Sequence, residues 1–99
     1  MTRRAARVDA NQASIVDVLR RIGCSVQPLH AVGEGVPDLL VGKAGKNLLI
    51  EIKDGEKPPS KQKLTADQEV WHAEWRGQVC VVNSEDQAIL AVSELFCEG

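Results

Sequence analysis

The stretch Pro37-Asp38-Leu39-Leu40-Val41-Gly42-Lys43-Ala44-Gly45-Lys46-Asn47-Leu48-Leu49-Ile50-Glu51-Ile52-Lys53 decides the fold. Residues 37–42 and 47–53 are short apolar runs bounded by glycine, the pattern of two strands joined by a turn near Ala44-Gly45. A two-residue turn there pairs Lys43 with Lys46 and Gly42 with Asn47, and the pairing runs outward until Asp38 stands opposite Glu51. Side chains alternate between the faces of a strand. Leu39, Val41, Leu48, Ile50 and Ile52 therefore share an aliphatic face, while Asp38, Leu40, Leu49, Glu51 and Lys53 share the other.

Around this hairpin the chain reads as a single domain over residues 1–99. Asp9 with Gln12 has the form of a capping box, and Ile15, Val18, Leu19 and Ile22 repeat at helical spacing up to Gly23, which predicts a helix over 10–22. Ser25 to Val32 contains Pro28 and predicts a strand confined to an edge or broken by a bulge. The Lys-, Pro- and Ser-rich segment from Asp54 to Lys63 reads as a loop. Thr65 with Gln68 opens a second helix running through Trp75 and closed by Gly77. Val79-Cys80-Val81-Val82 is a short strand, and Ser84 with Gln87 opens a last helix whose apolar face is Ala88, Ile89, Val92, Leu95 and Phe96. The expected class is α/β, a mixed β-sheet flanked by helices in the order αβββαβα.

Composition narrows the function. No apolar run approaches the roughly 20 residues a bilayer crossing needs, and the start Met1-Thr2-Arg3-Arg4-Ala5-Ala6-Arg7 has no secretory core, so a cytoplasmic chain with no membrane partner is expected. Twelve Lys and Arg against fourteen Asp and Glu give a net charge of −2, which excludes a protein that holds nucleic acid by a bulk positive field. Local patches remain: arginines at 3, 4 and 7, and Lys53, Lys57, Lys61 and Lys63. Each patch is either ordinary solvated surface or a nucleic-acid contact. Cys24, Cys80 and Cys97 form no CxxC pair, so they read as reduced thiols, two of them in apolar stretches.

The chemistry sits on the hairpin's polar face. Directly opposed strand residues have Cβ atoms about 4.5–5.5 Å apart, so Asp38 and Glu51 can reach one cation and repel each other without one. Alternatively, Asp38 caps a turn after Pro37 and Glu51 pairs with Lys53 on a solvated face. Leu40 and Leu49 weigh against that alternative, because they imply that protein partly covers this face, where bare charges are costly. Carboxylate oxygens favour a hard cation, Mg²⁺ or Mn²⁺, over zinc, and neither His30 nor His72 has a His or Cys partner at ligand spacing. Two carboxylates, such a cation and a lysine suit phosphodiester hydrolysis.

Pro37-Asp38, twelve intervening residues and Glu51-Ile52-Lys53 resemble the PD-(D/E)XK nuclease signature, and the element order is similar to that superfamily's restriction-endonuclease-like core. GVPDLLVG, LLIEIKDG, LTADQEVWHAEW and VCVVNS together resemble the stand-alone VRR-NUC nucleases of phages and bacteria, over nearly the whole chain. The resemblance implies Asp38, Glu51 and the Ile52 carbonyl as metal ligands, Lys53 serving the attacking water, and Gln68 steadying the site or the scissile phosphate. It implies a DNA endonuclease acting in a bacterial or phage-infected cell, cutting branched DNA such as four-way junctions as a homodimer. The alternative is a non-catalytic module that binds DNA structure or a protein.

Several residues carry two readings. Gln68 is also the natural partner of the Thr65 cap, and both roles can hold. Relatives place an acid on the first helix; the nearest positions here are Asp9, Asn11 and Gln12, so the chain either departs from the pattern or uses an amide there. Trp71 and Trp75, one turn apart, are expected in the core rather than stacked on bases. His72 reads as a packed or surface histidine before a substrate contact. Gly33-Glu34-Gly35 reads as a flexible approach loop that brings Glu34 near the metal. Lys57, Lys61, Lys63 and Arg7 are the expected nucleic-acid contacts.

Overall fold

A computed structural model describes residues 9–96; Arg3, Arg4, Arg7, Cys97 and the side chain of Phe96 lie outside the described part. The elements are α1 (Gln12–Arg21), β1 (Ser25–Pro28), β2 (Leu39–Lys43), β3 (Lys46–Ile52), a 3₁₀ turn (Pro59–Lys61), α2 (Ala66–Glu74), β4 (Val79–Val82) and α3 (Glu85–Phe96). The strands form one mixed sheet in the order β1-β2-β3-β4, antiparallel at the first two junctions and parallel between β3 and β4. The chain is thus a small α/β domain. Among the described residues no helix is long and apolar enough to cross a membrane.

The central hairpin follows the parity of its sequence. Lys43 faces Lys46 and Leu39 faces Ile50. Ala44 and Gly45 both take positive φ, 53° and 79°, the backbone a type I′ turn requires. Leu39, Val41, Leu48, Ile50 and Ile52 are all buried, and they meet Ile15 and Leu19 of α1, Val82 of β4, and Ala88 and Val92 of α3 in one core. Helices α1 and α3 pack on each other and on that face. β1 lies at the sheet edge and stops at Pro28, which has no N–H to continue a ladder.

The first helix begins later than the pattern implies. Asp9 is not its cap: α1 starts at Gln12, the N-cap is Asn11, and the Asn11 side chain makes no capping bond, its Nδ2 donating to the Lys53 and Asn83 carbonyls while its Oδ1 stays buried without a partner. The C-terminus ends as expected. Gly23, at φ 97°, donates to the Arg20 carbonyl and Cys24 to that of Leu19, the paired bonds of a Schellman motif. Cys24 and Cys80 are both free.

The second helix also departs from expectation. None of its residues is buried, Trp75 is 45% exposed, and the two indoles stack on each other with centroids 4.7 Å apart. The tryptophans are therefore not core residues. Trp75 borders a shallow groove on the sheet's second face together with Leu40 and Leu49, and Trp71 stacks on Trp75. Leu49 is 8% exposed and Leu40 37% exposed, so the cover over this face is partial.

Candidate functional site

The covered end of that second face holds the charged residues. Asp38 just precedes β2, and its position is fixed from two sides. Its carbonyl accepts from the Leu29 N–H at 2.7 Å, and its Oδ2 accepts from the Ile52 N–H at 2.7 Å. A strand residue's N–H and C=O point to the same edge, so the Ile52 carbonyl faces the side on which Asp38 lies. On the other side of β3, the Lys53 N–H donates to the Val82 carbonyl at 2.8 Å, which carries the parallel ladder one residue past the strand.

Glu51 is 2% exposed, and its Oε1 has no hydrogen-bond partner. Its Oε2 accepts from Gln68 Nε2 at 3.0 Å and has Lys53 Nζ at 3.8 Å, an ion pair longer than a hydrogen bond. Burial, and after it the neighbouring Asp38 carboxyl, pushes the Glu51 carboxyl up to about 8, and the Lys53 ammonium only partly opposes this. Without a cation, the site therefore disfavours the charge on Glu51.

Gln68 makes the Thr65 cap expected of it and also reaches Glu51 and Lys53. Its Oε1 accepts from Lys53 Nζ at 2.7 Å and from the Thr65 N–H at 2.9 Å, while its own N–H donates to Thr65 Oγ1 at 3.2 Å. The capping box is complete, and the same side chain bridges Glu51 and Lys53. A residue locked into a helix start in this way has little rotamer freedom, which keeps Lys53 directed toward the carboxylates. Gly35, at φ 84°, allows the preceding loop to approach: a Cβ there would lie 2.5 Å from the Asp67 carbonyl, at the start of the same helix. Glu34 in that loop is exposed and also takes a positive φ, 59°.

Two residues that carried second readings in the sequence lie in the neighbourhood. Asp9, half-buried, has its carboxyl raised by burial and then by Asp38, with Lys53 and Lys57 pulling the other way. It is thus a third carboxylate near the pair, not a helix cap. His72 lies one turn beyond Gln68, with its ring edge-on to Trp71 and its Nε2 buried without a partner; burial, and then Lys53, holds its pKa low. Its i,i+4 spacing from Gln68 was the available sign. Lys57, Lys61 and Lys63 are exposed on the loop that leaves Lys53. Arg7 lies outside the described residues.

Among the described residues, no three His, Cys, Asp or Glu side chains are grouped to hold a metal ion. A site built from Asp38, Glu51 and a main-chain carbonyl does not need three. The chemistry of these donors fits a hard cation: two oxygen ligands that disfavour each other's charge, one of them with a buried oxygen lacking any partner. A cleft of about 440 Å³ adjoins the point where the chain leaves Lys53; Asn11 and Asn83 line it together with Asp54, Glu56, Glu85 and Asp86, whose charges repel a phosphate backbone, so it is not a surface that receives DNA. In comparison with known proteins, no family model, no curated protein and no solved structure matches the chain.

Proposed function

We propose that this chain is a Mg²⁺- or Mn²⁺-dependent deoxyribonuclease that hydrolyses phosphodiester bonds, with a restriction-endonuclease-like core similar to that of VRR-NUC nucleases. The observation that carries this reading is the buried Glu51, left with an unpartnered oxygen beside Asp38 and bridged through Gln68 to Lys53. A structural role alone would favour an apolar pair in place of such a cluster, because buried, incompletely paired charges cost stability.

Asp38 and Glu51, with the Ile52 carbonyl, would hold the cation. When bound, it supplies charge neutralisation at the phosphoryl oxygens and a more acidic water. Lys53 orients the attacking water and offsets negative charge on the phosphate. The water loses a proton to solvent as its oxygen bonds to phosphorus, the bond from phosphorus to the departing sugar oxygen breaks, and that oxygen takes up a proton from a second water. Gln68 holds Lys53 and Glu51 in fixed relation through this step. Lys57, Lys61 and Lys63 bind flanking phosphates. The substrate class we favour is branched DNA cut by a homodimer in the cytoplasm of a bacterial or phage-infected cell, since paired sites suit symmetric cuts.

The test is incubation with labelled four-way, flapped and linear DNA, with and without Mg²⁺. Cleavage that requires metal and falls by at least about 100-fold in Lys53→Ala and Asp38→Ala, with DNA binding retained, is the expected result. Binding without cleavage on every substrate and metal would mean a non-catalytic module and would overturn the proposal.

A further inference from the structure

Three side-chain amides from distant parts of the chain meet where Lys53 leaves the sheet. Asn11 Nδ2 donates to the Lys53 carbonyl at 3.2 Å and to the Asn83 carbonyl at 3.1 Å. Asn83 Nδ2 donates to Gln62 Oε1 at 2.9 Å. Gln62 Nε2 donates to the Lys57 carbonyl at 2.7 Å and reaches the Gly55 carbonyl at 3.5 Å. Gly55 packs so tightly on this network that a Cβ there would lie 2.7 Å from the Asn83 carbonyl.

The loop these amides hold is the basic one. Residues 55–61 are all exposed, so no apolar packing gives the segment its shape. Its conformation rests on polar ties, and Gln62 supplies the longest-range of them. The loop begins directly after Lys53, so its lysines follow the charged cluster in the chain.

We propose that Gln62 and Asn83, anchored by Asn11, are positioning residues that hold the Lys57–Lys63 loop in the shape that receives the DNA backbone next to the cut bond. This rests on the nuclease reading above. The amides do not touch the reacting atoms. Their loss weakens substrate capture and leaves the chemical step in place.

Two measurements on Gln62→Ala and Asn83→Ala in the full chain test this. The first is the rate of trypsin cleavage after Lys61 and Lys63; Lys57 is followed by Pro58 and resists. Losing one tie speeds cleavage about five-fold. The second is steady-state DNA cleavage, where KM rises about five-fold while kcat stays within about two-fold of wild type. Unchanged trypsin rates overturn the clamp. Faster trypsin cleavage with unchanged KM, or a fall in kcat at constant KM, overturns its role in DNA capture. A wild-type protein that cuts no DNA overturns the nuclease reading and with it the catalytic half of this inference, while the trypsin rates still judge the clamp.

Discussion

Replacing Glu51 by Gln tests the electrostatics of the site without disturbing its shape. An amide of the same size accepts from Gln68 through its oxygen and removes the charge that burial and the neighbouring Asp38 oppose. The Glu51 carboxyl lies at about 8 in the folded chain, against 4.5 for an unhindered glutamate. The folded state then binds the proton more tightly than the unfolded state. Its stability is greatest below about 4.5 and declines as pH rises toward 8. At about 1.4 kcal/mol per pH unit, the penalty at high pH is on the order of 2–5 kcal/mol, the upper figure assuming a site that does not rearrange.

In EDTA, Glu51→Gln should therefore melt close to wild type at pH 5. At pH 8.5 it should melt higher by about 8 °C or more, given about 4–8 °C per kcal/mol in a domain of this size. Adding Mn²⁺ at pH 8.5 should raise the wild type and leave the variant unmoved. Parallel melting curves from pH 5 to 8.5 would refute the account of Glu51 as a buried, charge-opposed carboxylate.

Three further outcomes follow from single features. Gly35→Ala drives a Cβ into the Asp67 carbonyl at a positive φ, and should cost about 1–3 kcal/mol in thermal or urea unfolding. Gln68→Ala removes both a helix cap and the Glu51–Lys53 bridge, so it should cost about 1 kcal/mol of stability and slow DNA cleavage at least about ten-fold. The triple variant Lys57→Ala, Lys61→Ala, Lys63→Ala should keep its melting temperature and lower the salt slope of DNA binding by about 2–3, read from affinities over a range of NaCl concentrations.

What the sequence discloses is what depends on local period and pairing. The hairpin register was legible because a two-residue turn and strict alternation leave one solution, and a one-residue slip would have put Glu51 in the aliphatic core. The Thr65–Gln68 box was legible because its partners lie within one turn. The neighbourhood of Asp9 was not legible: Asn11 reaches the Lys53 and Asn83 carbonyls, 42 and 72 residues away, and no local pattern encodes that. The tryptophans misled because i,i+4 aromatics normally mark a buried stripe, whereas α2 runs along the partly open face and stacks its indoles on each other. The loop's polar ties were hidden for the same reason as Asn11, since amides at 62 and 83 look like ordinary surface residues.

Titration of Mn²⁺ into the protein by calorimetry, with and without DNA on the cleavage-impaired Lys53→Ala background, bears most directly on the central claim that Asp38 and Glu51 share a divalent cation. Uptake that disappears in Asp38→Ala and in Glu51→Gln is the predicted result. Absence of uptake even with DNA present, or equal uptake by both variants, would contradict it.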